Sequence, residues 1–241
     1  RHAIGPYGQA VGRDIRRLTT HASVFPTAEK ANMVVRLLAG LGALGVARVL
    51  TLRDRTGVAA LVLRALETHA AVARHERWPA VEFVDLPISE SAADTHAGVA
   101  HMVREQVALI AVLGGDGTHR AVAAHCGDTP LLALSTGTNN AYPEMREPTI
   151  VALAVGLYAS GRLETRHALS PNKVLEVAVD GEPRDIAIVD AVIGRDRIGG
   201  SRALWKADSL DAVHLTFADP LAIGLSAIGG LLDPVGRTEP G

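Results

Sequence analysis

Apolar positions along the first two thirds of the chain switch repeatedly between a helical and a strand-like period. Over residues 27–44 they recur at helical spacing (Ala31, Val34, Val35, Leu38), and Gly40, Gly42 and Gly45 then break the pattern. Residues 46–52, Val-Ala-Arg-Val-Leu-Thr-Leu, predict a strand. A second helix is predicted over 58–73, with Leu61, Val62, Ala65 and Leu66 on one face, and Pro79 closes that unit. A strand over 81–86 and a helix over 91–106 follow, with Ser91 or Ser89 as the N-cap. Residues 107–113 are an unbroken apolar run, which suits a parallel strand covered on both faces. A short helix over 118–125, a strand over 130–134 and a helix over 147–160, opened by Pro148, complete the series. Such alternation of strand and helix argues for a parallel α/β layer.

Beyond Gly161 the texture changes. Residues 173–179, the turn signal Asp180-Gly181 and residues 184–193 read as one hairpin. Residues 213–217 predict a further strand, and no strong helix is expected after Ser160. A boundary near residues 162–167 divides the chain into an α/β domain of residues 1–163 and a β-rich domain of 164–241. No closing element follows the last motif, so either the protein is short or part of its second domain is expected to be missing.

Composition narrows the function classes. The 241 residues are 48% hydrophobic and 21% charged, with 24 Lys+Arg against 26 Asp+Glu and a net charge of −2. No basic stripe is present, which argues against a nucleic-acid partner. Aromatics make up only 3%, so no base-stacking surface is expected and the core is built from small aliphatics. No segment reaches the roughly 18 uninterrupted apolar residues of a membrane helix, and no membrane partner is expected. The N-terminus lacks the apolar run of a signal peptide. The single cysteine, Cys126, excludes a disulfide framework and a Cys-based zinc site, points to a reducing cytoplasmic setting, and is read as a buried small hydrophobe.

The strongest chemical signal is Gly114-Gly115-Asp116-Gly117-Thr118, directly after the buried strand and opening a helix. Three glycines in four positions let the main chain approach a phosphate and adopt positive φ, and the helix N-terminus favours an anion. Asp116 is a negative side chain among anion-binding groups. That placement makes sense if it serves a Mg²⁺ bridging phosphates or accepts a proton from an attacking hydroxyl. The plain alternative is a Gly-rich turn with Asp116 as a solvated N-cap. The string matches neither the Walker A nor the Rossmann glycine fingerprint.

The second signal, Ser135-Thr136-Gly137-Thr138-Asn139-Asn140, follows the next strand. Loops at the carboxyl ends of neighbouring parallel strands face one crevice, so this donor loop is expected beside Asp116. Asn139 and Asn140 suit ribose hydroxyls or phosphate oxygens. The alternative is an Asx-type turn.

These motifs resemble the superfamily of NAD kinases, diacylglycerol kinases and sphingosine kinases, which share the order strand, Gly-Gly-Asp-Gly-Thr, helix, strand, Gly-Thr-Asn-Asn. Residues 12–18, 29–34, 136–149 and 222–232 are similar to the NAD-kinase-like acetoin catabolism protein X group within it. The resemblance implies an N-terminal parallel, Rossmann-like α/β domain and a β-rich C-terminal domain of NAD-kinase type. It implies Asp116 as the catalytic aspartate that activates the adenosine ribose 2′-hydroxyl of NAD for attack on the γ-phosphate of ATP. Asn139, or alternatively Asn140, matches the family Asn that contacts NAD. An Asn-acid pair of the kinases falls on Val189-Asp190, where the acid survives as Asp190 and the Asn is replaced. Ser226, Ala227, Gly229 and Gly230 match a later Ser-Ala-Gly-Gly-Pro motif, whose proline is Leu231 here. Residues 8–12 stand where relatives carry an Asn-Pro-x-Ser-Gly-like turn, and the first strand before them is hard to find.

Other side chains are weighed singly. Arg13, Arg16 and Arg17 are read first as a solvated helix face and second as phosphate ligands. The lysines are only Lys30, Lys173 and Lys206, none after a Gly-rich turn, so phosphate charge falls to Mg²⁺, main-chain amides and Arg. His119 and Arg120 suit the phosphate crevice or a cap and surface role. His119 and His125 do not share a helix face, and no metal pair is read from them. Glu144 is a modest site candidate, and Glu147 serves the next helix dipole. No nucleophile elbow supports a hydrolase.

The expected function is therefore ATP-dependent phosphoryl transfer to NAD, with ATP, Mg²⁺ and NAD as substrates and cofactor. Asp116 is the catalytic residue. Gly114, Gly115, Gly117, Thr118, Thr138, Asn139, Asn140 and Asp190 hold the nucleotides, and no residues form a metal site of their own. A homo-oligomer is expected. The alternatives are a kinase for another small acceptor, which the Val189 departure favours, and a nucleotide-binding accessory protein without turnover.

Overall fold

The unbroken apolar run leads into an interior strand of a five-stranded parallel sheet. In the computed structural model, residues 2–7, 25–72, 76–137, 140–195 and 207–239 are described. The strands β1 (His2–Tyr7), β2 (Arg48–Leu52), β3 (Ala80–Val84), β4 (Ile110–Gly114) and β5 (Leu131–Ser135) lie in the order β3-β2-β1-β4-β5. Every neighbouring pair is parallel. The connecting helices are α1 (Thr27–Ala43), α2 (Val58–Val72), α3 (Ala92–Arg104), α4 (Asp116–Ala123) and α5 (Pro148–Ala159).

β4 shows why the run is continuous. Ala111 and Leu113 join a core cluster with Leu37 and Leu38 of α1, Val62 of α2 and Ala152 of α5. Ile110 and Val112 join a second cluster with Val99 and Met102 of α3 and Val122 of α4. With helices on both faces, no position of the strand meets water. Each fully buried Leu or Val removes roughly 1.5–3 kcal/mol worth of apolar surface from solvent. Helix α1 approaches α5 so closely that a Cβ on Gly40 would lie 2.5 Å from the Ala152 Cβ.

The caps follow the sequence signals. The Ser91 hydroxyl, not that of Ser89, accepts from the Ala93 amide at 3.2 Å. The Glu147 carboxylate accepts from the Ile150 amide at 2.8 Å, with Pro148 in the first turn of α5. Cys126 is buried.

The first strand, hard to find from sequence, is the central one. Its sequence, His-Ala-Ile-Gly-Pro-Tyr, carries a Gly-Pro pair that argues against a central strand. The register against β4 shifts between Ile4 and Tyr7, so an irregularity at Gly5-Pro6 accommodates the missing donor.

After the short helix α6 (Thr165–Ala168), the chain becomes antiparallel. β6 (Leu175–Val179) and β7 (Glu182–Ala187) form a hairpin. Asp180 and Gly181 turn it with φ of 54° and 80°, as a two-residue primed turn requires. The single second strand expected over 184–193 is not formed. The chain leaves the hairpin at Ala187, and β8 (Asp190–Gly194) pairs instead with β9 (Leu210–Leu215) in a separate two-stranded sheet. The carbonyls of Ile188 and Val189 both accept from the Thr216 hydroxyl, at 2.9 and 3.1 Å, which takes them out of the hairpin ladder. The expectation of no strong helix after Ser160 is also corrected, because Leu225–Leu232 forms α7. Two of its eight residues are glycine, Gly229 and Gly230, which hid the helix in a glycine-rich motif.

The chain divides into two compact units. One takes in β1, Phe25–Gly137 and Pro143–Ser170; the other takes in Pro171–Gly241 and the short segment of residues 140–142.

Candidate functional site

The parallel sheet reverses its strand order at β1 and β4, and a crevice forms outside the carboxyl ends of strands at such a switch point. Gly114-Gly115-Asp116-Gly117-Thr118 occupies the end of β4 at that point. β5 runs in register beside it, with Gly114 opposite Ser135. The Thr136 amide donates to the Gly114 carbonyl at 3.2 Å, so the starts of the two loops lie side by side.

The expected positive φ at the glycines is corrected. None of Gly114, Gly115 and Gly117 adopts it, and Gly115 is the extended N-cap of α4 with φ −98°. Their role is space. A Cβ on Gly114 would lie 2.7 Å from the Thr118 Cβ, so Gly114 is fixed by internal packing. Around Gly117 no atom outside its chain neighbours and its own helix's backbone lies within 4 Å of a Cβ position, and the residue is exposed. The protein itself does not require a glycine there; a ligand approaching the main chain would.

Asp116 is half-buried and lies in the first turn of α4. It is thus inside the helix rather than its N-cap, which is Gly115. An acidic side chain in that turn favours the helix dipole. Gly115 organises the turn. Its carbonyl accepts from the amides of Thr118 and His119 at 3.0 and 3.1 Å and lies 2.9 Å from His119 Nδ1. A carbonyl only accepts, so Nδ1 carries the proton. Burial lowers the His119 pKa, against smaller raising effects of the Gly115 bond, Asp116 and the Val112 backbone, and the ring is neutral. His119 is fully buried and takes neither the crevice-lining nor the surface role expected of it. Arg120 lies close enough to His96 to lower its pKa, behind desolvation and His125.

The acceptor-side candidates belong to the second unit. Asn140 is half-buried, and Asp190 is the first residue of β8, half-buried and opposite Leu215. Thr216 fixes the residue just before Asp190, its amide donating to the Val189 carbonyl at 2.9 Å. Ser226 is fully buried in α7. Thr138 and Asn139 lie outside the described residues, as do residues 8–12, Arg13, Arg16, Arg17 and Lys206. The Glu144 carboxylate pairs with Arg146. Sequence reasoning missed Thr216, and it missed the His96–His125 ring contact at 4.2 Å because the partners sit on different elements.

Among the described residues no three His, Cys, Asp or Glu side chains cluster as a cage for a metal ion. Mg²⁺ keeps waters and takes one or two carboxylates plus substrate phosphates, so one carboxylate, that of Asp116, beside an exposed main chain fits it. A groove of about 550 Å³ between α1 and α2, lined by Val35, Leu61, Arg64 and Trp78 among others, contains none of these residues. Among the described residues no helix is long and apolar enough to cross a membrane.

A glycine-cradled carboxylate at the switch point of a parallel sheet, followed by small antiparallel sheets, defines a class. The chain belongs to the NAD kinase family: residues 21–162 match the ATP-NAD kinase N-terminal domain. Residues 173–241 match the Acetoin catabolism protein X C-terminal domain. The chain is 51% identical over 233 residues to Acetoin catabolism protein X of Cupriavidus necator, covering 95% of this chain and 64% of that protein. It therefore spans less than two thirds of the length of that relative. No solved structure matches.

Proposed function

We propose that the chain carries an ATP-dependent phosphotransferase site acting on the adenosine ribose of NAD. The observation that carries this reading is the end of β4, where the space at Gly117 is open and the Asp116 carboxylate stands in the first helical turn beside it. The main-chain amides that open α4 hold the phosphates of ATP. Mg²⁺ brought in with ATP neutralises charge on the transferring group. Asp116 holds that charge arrangement in place or takes the proton of the attacking hydroxyl. The 2′-oxygen of the acceptor bonds to the γ-phosphorus, the bond from that phosphorus to the β,γ-bridging oxygen breaks, and ADP leaves. Asn139 or Asn140, with Asp190, holds the acceptor. Positioning and charge neutralisation supply most of the rate. The name of the Cupriavidus necator relative adds a link to acetoin catabolism.

One assay tests the reading. Protein incubated with Mg·ATP and NAD is expected to give NADP and ADP in equal amounts. The Val189 departure supports a second reading, a different hydroxylated acceptor, which would show as ADP formed only when that compound is supplied. Nucleotide-induced stabilisation with no product would instead mark an accessory nucleotide-binding protein.

A further inference from the structure

Arg237 ties together parts of the second unit that are far apart in sequence. Its Nη2 donates to the Ala141 carbonyl at 2.6 Å. Its guanidinium carbon sits 3.8 Å from the centre of the Phe217 ring and 5.6 Å from that of Tyr142. Phe217 is buried at 3% exposure and cannot yield. The stretch before Arg237 is fixed as well. Ala218 and Val235 exchange two main-chain bonds, each 2.9 Å, and the Gly236 amide donates to Glu239 Oε2 at 2.8 Å. A planar guanidinium stacks on a ring and donates in its own plane at the same time, which a lysine ammonium does not.

The contacts converge on Thr216-Phe217. Thr216 binds the carbonyls of Ile188 and Val189, immediately before Asp190. Phe217 is the platform for Arg237, which grips the residue after Asn140. One dipeptide just after β9 thus anchors the residues immediately before Asp190 and, through Arg237, the residue immediately after Asn140.

We infer that Arg237 is the positioning residue of the Asn140 segment: it holds residues 140–142 to the unit that carries Asp190 and so sets the affinity for the acceptor nucleotide. Its part in affinity rests on the reading of the site given above; its hold on the segment does not. Arg237 touches no reacting atom in this scheme and is not a catalytic residue.

The test compares wild type, Arg237→Met and Arg237→Lys by hydrogen exchange over residues 138–145, thermal unfolding, and kinetics with Mg·ATP and NAD. In Arg237→Met, exchange at residues 140–142 and the KM for NAD are each expected to rise about tenfold, the worth of one charge-assisted hydrogen bond. The kcat is expected to stay within about twofold, because the transition-state contacts are untouched. The midpoint of unfolding is expected to move by less than about 4 °C. Arg237→Lys keeps the charge without the plane and falls between the two on KM. Unchanged exchange in both variants, or a loss of kcat with KM unchanged, overturns the inference. Faster local exchange in a protein whose wild type makes no NADP withdraws NAD as the acceptor and leaves the hold of Arg237 on the segment established.

Discussion

Asp116 and the glycines around it can be separated by substitution. Asp116→Asn keeps shape and removes the charge. Turnover is expected to fall by about 10²–10⁴-fold with nucleotide binding retained, the loss typical of a missing general base. Unchanged turnover would remove Asp116 from the mechanism. Gly114→Ala forces a Cβ against the rigid Thr118 Cβ at 2.7 Å and is expected to destabilise the fold by about 1–3 kcal/mol. Gly117→Ala is expected to do the opposite for stability, adding up to about 1 kcal/mol because alanine suits a helix better. It should nevertheless weaken binding of Mg·ATP, since the methyl enters the open space. Equal nucleotide affinity in Gly117→Ala and wild type would show that no phosphate comes near that residue. The motif itself was legible in the sequence. The division of labour among its glycines was not, because it depends on which neighbour each absent Cβ would meet. The burial of His119 was likewise illegible: a polar residue beside a phosphate motif reads as a ligand until its ring is seen bonded to Gly115.

Elements were legible where periodicity and end signals agreed. Strands β2 to β5 and the five helices around them followed from apolar spacing, and Ser91 and Glu147 were recognisable as ends. β1 was not, because Gly5-Pro6 contradicts a central strand and the register shift that accommodates it is a property of pairing. The split of β7 from β8 was hidden because the side chain responsible, Thr216, lies 27 residues after Val189. Contact between elements also gives the pH response. His96 of α3 touches His125 beyond α4, and desolvation, then His125, then Arg120 lower its pKa from 6.5. Burial lowers that of His119 from the same value. Both are held neutral in the folded state, while in the unfolded chain they gain protons near pH 6.5. Their contribution is therefore complete above pH 6.5 and is lost as pH falls through the lower folded values. Urea unfolding at pH 8, 6.5 and 5 is expected to show stability level across the first interval and falling across the second. His96→Gln should flatten part of that fall. Stability level down to pH 5 would count against the neutral assignment of both rings.

At the scale of the whole molecule, the two units divide the proposed labour. Gly114 to Thr118 belong to one, and Asn140, Asp190 and Arg237 to the other. Two family models, one ending at residue 162 and one starting at 173, divide the chain near the same place, although the first also spans residues 140–142, which pack with the second unit. If phosphates are held by the first unit and the acceptor by the second, each ligand alone stabilises a different part of the molecule. A ligand at 100 times its dissociation constant adds about 2.7 kcal/mol to whatever it binds. For units of this size that is roughly 5–15 °C in unfolding midpoint. The two tryptophans separate the readouts, since Trp78 lies in the first unit and Trp205 falls in the stretch of sequence matched by the second family model. In Trp205→Phe, Mg·ATP is expected to raise the transition reported by Trp78, and NAD alone to leave it nearly unmoved. In Trp78→Phe the response to the two ligands should reverse. Mg·ATP acting on neither reporter would sink nucleotide binding at the end of β4. NAD acting on the Trp78 transition alone would move the acceptor to the first unit and break the tie between Asp190 and the substrate.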